Sequence, residues 1–383
     1  MTATSETPDP DPTCPTCGGH VTPGERFCEG CGADLGGSTS QAAPTPDATP
    51  EAPPVEATRP LETTAVGSCR SCGGEVADDG YCTQCGTAAA KPRDHFTEQP
   101  APWVAAVCDR GIRHHRNEDA VALAAAAPPS ARAVLVVCDG VSSSTDSDVA
   151  SLAAARAARD VLAQSQPRGL GTPASSVAAT ARALTTAADA ANAAVIANTA
   201  PSGGNPASCT FVAAVVDGPL LVVGWVGDSR AYWLPDPGGA MLLTTDDSFA
   251  AEQIAAGADR AVAENGPHAH AITRWLGSDA PDHTPRTVTV DLDVPGWVLV
   301  CSDGLWNYCS APEDLAGLLG ATMVTVGAQP LPLAAALVDW ANAQGGRDNI
   351  TVALARIDPS TTATVDPSAA HREEVSPDGN VLS

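Results

Sequence analysis

Four short apolar runs in this chain each end or begin on an acid. Val134-Leu135-Val136-Val137-Cys138 runs into Asp139-Gly140. Leu220-Leu221-Val222-Val223-Gly224-Trp225-Val226-Gly227 runs into Asp228, and Trp297-Val298-Leu299-Val300-Cys301-Ser302 runs into Asp303-Gly304. The fourth is reversed, with Asp348-Asn349 ahead of Ile350-Thr351-Val352-Ala353-Leu354. Runs of this length and composition read as buried strands. A carboxylate at the end of a buried strand is costly unless a partner or a metal compensates it. If the four ends meet in space they form a cluster of carboxylates, the ligand set that hard divalent cations such as Mg2+ or Mn2+ take.

The chain has 383 residues, enough for two or more folded units. Its formal net charge is −25, which argues against nucleic acid or an anionic membrane as a partner, since both need a basic surface. No apolar run approaches the length needed to span a bilayer. Met1 to Pro12 has neither a basic start nor an apolar stretch, so no secretion signal is expected. A monomeric cytoplasmic protein is the expectation.

Eight of the 13 cysteines form four CxxC pairs. Cys14, Cys17, Cys28 and Cys31 make one unit, and Cys69, Cys72, Cys82 and Cys85 a second. Without a secretion signal this reads as metal binding in a reducing compartment. Four thiolates at this spacing suit tetrahedral Zn2+, and the closed ligand set points to two structural ions with no open catalytic position. Units this small fold only as they bind the metal. A thioredoxin-type redox pair would need a surrounding βαβ domain, which the flanking sequence lacks. The units resemble the double zinc ribbon of bacterial multidomain proteins. The expected organisation is ribbon 1 over 1–35, a disordered linker over 36–66, ribbon 2 over 67–90 and a short linker over 91–100. A main domain over 101–357 and a disordered tail over 358–383 complete it.

Within the main domain, residues 103–108, 134–140, 208–216, 220–227, 241–245, 286–292, 297–302 and 350–357 read as strands. Residues 148–163, 175–199, 312–319 and 331–343 read as helices covering a sheet. Asp217-Gly218 is a hairpin turn, Asp246-Asp247-Ser248 supplies a cap for a helix starting near Phe249, and 257–270 is expected to be a mobile flap. If 112–119 is extended, alternation puts His114, Arg116 and Glu118 on one face, suited to phosphate and a metal-bound water. An exposed polar strand is the competing reading.

Together these segments resemble the metal-dependent PP2C (PPM) family of serine/threonine protein phosphatases. The residues that carry the resemblance are Asn117-Glu118-Asp119, Asp139-Gly140, Gly227-Asp228-Ser229-Arg230-Ala231-Tyr232, Leu243-Thr244 to Ser248, Ser302-Asp303-Gly304-Leu305-Trp306 and Asp348-Asn349-Ile350-Thr351-Val352. They occur in the family's order across residues 101–357. The resemblance implies an α+β fold, an α-β-β-α sandwich of two mostly antiparallel sheets with metals at one edge. It implies that Asp139 bridges two Mn2+ or Mg2+ ions and that the Gly140 carbonyl binds one. Asp303 and Asp348 complete the first site, Glu118 and Asp119 hold waters around the second, and Asp228 with Asp303 builds a third.

The implied reaction is hydrolysis of phosphoserine or phosphothreonine in phosphorylated proteins by a metal-activated water, by family analogy opposite a serine/threonine kinase, with the ribbons docking a partner or substrate. The other reading is a weakly catalytic binding or regulatory scaffold. Two departures from the family pattern matter. The usual phosphate-binding arginine is replaced by His114, with Arg113 and Arg116 beside it, so His114 and Arg116 become the catalytic candidates. The Asp-Gly pair is followed by Val141-Ser142-Ser143-Ser144-Thr145, which offers no general acid. His114, His115 or a water would have to fill that role. Cys108, Cys138, Cys209, Cys301 and Cys309 are expected to be small core residues.

Overall fold

The computed structural model describes residues 72–359, apart from 88, 90, 165–171, 200–203, 260–261, 264–265 and 267–270. The first cysteine unit, Cys69, the 36–66 linker and most of the tail and flap therefore lie outside the described residues. The main domain opens with a 3₁₀ turn at Pro92–Asp94, followed by β1 (His95–Ala101), β2 (Val104–Asp109), β3 (Ala120–Ala125) and β4 (Arg132–Cys138). Helices α1 (Ser147–Ala163) and α2 (Pro173–Ala197) come next, then β5 (Ser208–Cys209), β6 (Phe211–Asp217), β7 (Leu220–Val226), β8 (Arg230–Pro235) and β9 (Met241–Leu242). After α3 (Phe249–Ala255) come β10 (Leu276–Gly277), β11 (Arg286–Asp291), β12 (Gly296–Cys301), the short α4 (Asp303–Trp306), α5 (Pro312–Val326), α6 (Pro330–Ala343) and β13 (Ile350–Ile357).

The strands form two antiparallel sheets, ordered β1-β2-β13-β12-β8-β9 and β11-β7-β6-β4-β3, with β10 and β5 as a small extra pair. Period-two alternation explains the layering. On β4, Ala133, Leu135 and Val137 face the space between the sheets, while Val134, Val136 and Cys138 face the alanine-rich α1 and α2. On β12, Val298 and Val300 face inward, while Trp297, Leu299 and Cys301 meet α5 and α6. The result is helix, sheet, sheet, helix. No single described helix is long and apolar enough to cross a membrane, although α5 and α6 together, bent by 117°, match one in length and composition. Both pack their buried residues against a sheet.

The expectation of a linker over 91–100 is corrected. That stretch is the 3₁₀ turn and the edge strand β1, paired with β2 from His95↔Asp109 to Ala101↔Val104 with a bulge after Glu98. Its sequence hides the strand because an edge needs only one apolar side, and Pro100 is tolerated there. The Glu98 carboxylate accepts a hydrogen bond from the Leu123 amide across to β3 at 2.7 Å. The segment 110–119 is a loop, not an extended strand. Helix α5 runs past the expected end at 319 to Val326, because Gly317 and Gly320 sit within it and only Gly327, at φ +83°, ends it. The β9 strand is only two residues long.

Register decides where the acids go. Val137 pairs with Val212 and Phe211 with Val226, so the ends of β4 and β7 and the start of β6 share one rim. Ala120 pairs with Cys138, which brings Asp119 to the same rim. In the other sheet Cys301 pairs with Val352, so the end of β12 and the start of β13 lie side by side. At the opposite rim, Trp103 Nε1 donates to the Ala126 carbonyl at 2.9 Å and the Asp358 amide to Ser130 Oγ at 2.8 Å.

Candidate active site

Asp139 is where the charges converge. Loss of hydration, followed by the charges of Asp119, Asp303, Asp348 and Asp228, pushes its carboxyl well above the usual range. Asp303 is raised well above its ordinary value by burial and then by Asp348, Asp228 and Asp119. Burial, opposed by hydrogen bonds from Ser302 and Thr351, takes Asp119 up to about 6. Burial and Asp246 take Asp228 up to about 7. Acids far apart in the chain therefore meet at one rim, as strand register requires.

The backbone there is tightly built. The Asp139 amide donates to Thr210 Oγ1 at 3.0 Å, and the Thr210 amide donates back to the Asp139 carbonyl at 2.8 Å. Each Asp-Gly glycine is forced by space. A Cβ on Gly140 would lie 2.7 Å from the Glu118 carbonyl oxygen, and one on Gly304 would overlap the Asn349 carbonyl oxygen. Asp119 Oδ2 accepts from Ser302 Oγ at 2.6 Å and Thr351 Oγ1 at 2.7 Å. Its Oδ1, like Asp303 Oδ1, is buried without a hydrogen-bond partner. Buried carboxylate oxygens in that state call for a proton or a cation. By donor chemistry alone, an all-oxygen set with this excess of negative charge is of the kind that hard divalent ions take.

Glu118 behaves differently. Its Oε1 accepts from Arg116 Nε at 3.0 Å, Arg116 Nη2 at 2.7 Å and Ser147 Oγ at 2.5 Å, and its Oε2 from Ser142 Oγ at 2.7 Å. Burial alone would raise its pKa, but these donors and His114 together take it down to about 2. Its own amide donates to Asn349 Oδ1 at 2.7 Å.

His114, Arg116 and Glu118 come together through the loop rather than along a strand face. His114 Nε2 lies 3.2 Å from Asp348 Oδ1, and its Nδ1 lies 3.6 Å from Glu118 Oε2. Burial would lower the ring's pKa, but Glu118, Asp348 and Asp119 outweigh it and hold the pKa above its usual value. Arg116 also donates to the Ser144 carbonyl and Ser147 Oγ, at 2.9 and 3.1 Å. Its guanidinium thus faces Glu118 and the approach to α1. Arg113 and His115 are exposed.

Reasoning from acids alone passed over the residues that orient them. These are Ser142, Ser147, Ser302, Thr351 and Asn349, whose amide nitrogen also donates to the Arg110 and Arg116 carbonyls at 2.7 and 3.1 Å. For Ser142 the signal was the run of hydroxyls directly after Asp139-Gly140, whereas Ser302, Asn349 and Thr351 stand inside the acid-bearing motifs themselves. Asp247 was read only as part of a helix cap. It is fully buried against Arg274 and Arg286, at 3.3 and 2.9 Å, and accepts from the Gly227 amide at 3.1 Å beside Asp228. The cap itself is Ser248, which accepts from the Ala251 amide.

The second cysteine unit is partly described. Sγ atoms of Cys72, Cys82 and Cys85 all lie within 4.8 Å of one another. Backbone amides around Cys85 and Gln84 lower the Cys82 thiol's pKa. The main-domain thiols Cys108, Cys138 and Cys301 are buried, and loss of hydration pushes Cys108 up to about 12 and the other two above their ordinary range. They are core residues and poor nucleophiles.

Comparison with known proteins gives concordant matches. The family model described as protein phosphatase 2C matches residues 112–342, more than half of the chain. A putative protein phosphatase 2C-type protein of Streptococcus pyogenes serotype M6 is 33% identical over 130 residues, covering 34% of this chain and 50% of that protein. The chain thus spans about half the length of that relative. Among solved structures, the S. agalactiae serine/threonine phosphatase shares the fold with a TM-score of 0.56 at 23% identity, over 69% of this chain and 100% of that one. The Mycobacterium tuberculosis serine/threonine phosphatase PstP/Ppp aligns with a TM-score of 0.51 at 26% identity, over 67% and 98%.

Proposed function

Because the chain belongs to the protein phosphatase 2C family, we propose that it is a metal-dependent protein serine/threonine phosphatase. The observation that carries this reading is the convergence of Asp119, Asp228, Asp303 and Asp348 on Asp139, with two buried carboxylate oxygens unpartnered. Asp139, the Gly140 carbonyl, Asp303 and Asp348 would hold one ion, Asp119 and Asp139 the next, and Asp228 with Asp303 a third. Mn2+ or Mg2+ bound there would lower the pKa of a water and offset phosphoryl charge.

The chain's own residues do the rest. Ser302 and Thr351 fix one oxygen of Asp119 and leave the other directed into the cluster. Arg116, Ser142 and Ser147 fill Glu118, so this acid stays ionised and holds the loop in place rather than taking part as a proton donor. His114, beside Asp348 and partly open to solvent, is the proposed contact for a phosphoryl oxygen, a reading supported by its position next to the acids. Arg116 supports it by positioning Glu118. Phosphorylated proteins are the proposed substrates. The thiols of Cys72, Cys82 and Cys85 support a structural Zn2+ in the second cysteine unit, with Cys69 as the fourth ligand, and the ribbons are proposed to dock partner or substrate.

The test is phosphate release from p-nitrophenyl phosphate and a phosphothreonine peptide with Mn2+. Asp139→Ala and Asp303→Ala should each lower turnover by at least about 100-fold, the scale on which metal-site residues act. Full turnover in either variant would refute the assignment.

A further inference from the structure

The short segment that enters the main domain lies across the loop bearing Glu118 and Asp119. At one end, His95 Nδ1 sits 2.6 Å from Asp109 Oδ2, at the start of that loop. In the middle, the Arg110 amide donates to the Asp94 carbonyl at 2.8 Å, and Arg110 Nη1 lies 3.8 Å from Asp94 Oδ2. Near the loop's end, Asn117 Nδ2 donates to the Arg93 carbonyl at 3.0 Å, while Asn117 Oδ1 accepts from the Asp119 amide at 3.2 Å. The Arg93 side chain continues past the loop. Its Nη2 donates to the Asp148 carbonyl at 3.1 Å and reaches Ser151 Oγ at 3.5 Å. Ser151 Oγ in turn donates to the Glu118 carbonyl at 2.5 Å. The segment holds its own shape through Lys91, whose amide donates to Asp94 Oδ2 at 3.0 Å.

We propose that residues 91–95 are a strap across the acid-bearing loop, and that Arg93 is a positioning residue for the site. Arg93 touches no acid of the cluster. Its carbonyl holds Asn117, just ahead of Glu118, and its side chain holds Ser151 Oγ, which bonds the Glu118 carbonyl between the two acids. A loop of ten residues with little regular structure would otherwise sample many conformers. Three of its anchors come from this one segment. The strap follows Cys72, Cys82 and Cys85 closely in the chain.

This inference rests on the phosphatase reading for its catalytic consequence but not for its structural test. The full chain is compared with Arg93→Ala and Arg93→Lys by amide hydrogen exchange, by calorimetric titration with Mn2+ and by p-nitrophenyl phosphate turnover. Losing a charged hydrogen bond to a carbonyl is worth about tenfold. In Arg93→Ala, the Glu118 and Asp119 amides should exchange about tenfold faster and Mn2+ should bind about tenfold more weakly, with kcat falling and KM unchanged. Arg93→Lys, which keeps a donor in reach of the Asp148 carbonyl, should restore most of each change.

Unaltered exchange and Mn2+ affinity in Arg93→Ala would overturn the proposal. So would an equal loss of protection throughout β2, β3 and α1, which would make Arg93 a general stabiliser. If the wild type binds Mn2+ yet hydrolyses nothing, the phosphatase reading fails while exchange and titration still decide on the strap.

Discussion

Glu118 and Asp119 are adjacent in the chain, yet their carboxylates sit in opposite environments. Donors from four side chains hold Glu118 at about 2, while burial, opposed by two hydroxyls, takes Asp119 to about 6. The linkage signs follow. A raised folded-state pKa contributes stability below the unfolded value that is lost as pH climbs through the folded one, and a lowered pKa does the reverse. Asp119, and Asp228 at about 7, therefore make the metal-free protein less stable between about pH 4 and pH 7, whereas Glu118 destabilises it only as pH falls toward 2. Urea midpoints in chelator should be higher at pH 5 than at pH 8, and saturating Mn2+ should remove that difference. A midpoint that rises with pH in chelator would contradict the convergence of the acids. The acids themselves were legible as strand ends. The state of Glu118 was not, because Ser142 and Ser147 reach it only after α1 has packed against the loop.

Elements carry a second set of consequences. Gly304 lies in the first turn of α4, where a Cβ would overlap the Asn349 carbonyl oxygen, whereas Gly320 lies in α5 with nothing within 4 Å of a Cβ. Gly304→Ala should cost about 3 kcal/mol through overpacking at the rim. Gly320→Ala should stabilise by about 0.5–1 kcal/mol through helix propensity. Chemical denaturation of the two variants reads both, and equal effects would contradict the placement. Strands β4, β12 and β13 announced themselves because apolar residues on both faces leave an unbroken hydrophobic run. Strand β1 did not, since its outward face is polar and it contains Pro100. The loop at 110–119 misled for a related reason: alternation in polar residues carries no burial signal, and the grouping of His114, Arg116 and Glu118 came from side-chain pairing rather than from a pleat.

At the scale of the molecule, metal and fold are linked. An ion that binds only the folded state at about 100 times its Kd adds roughly 2.7 kcal/mol. For a domain of this size that is about 5–10 °C in melting temperature. Mn2+ should give such a shift in the wild type and little of it in Asp303→Ala, as scanning calorimetry would read. Elemental analysis of the full chain grown with ample zinc should find about two zinc ions, given two four-cysteine units. None would exclude the structural-zinc reading of Cys72, Cys82 and Cys85.

The two ends of the sandwich are closed by different means. At one, Trp103 and Ser130 sew the layers together with ordinary hydrogen bonds that no chelator can touch. At the other, Asp119 and Asp139 sit at strand ends of one sheet, Asp303 and Asp348 at strand ends of its neighbour and Asp228 between β7 and β8, so their mutual repulsion works against the hydrogen bonds that Ser302 and Thr351 give Asp119. Drained of its ions, such a molecule should gape like a clothes-peg, splaying first at the acid-tipped strand ends while the tryptophan side stays shut.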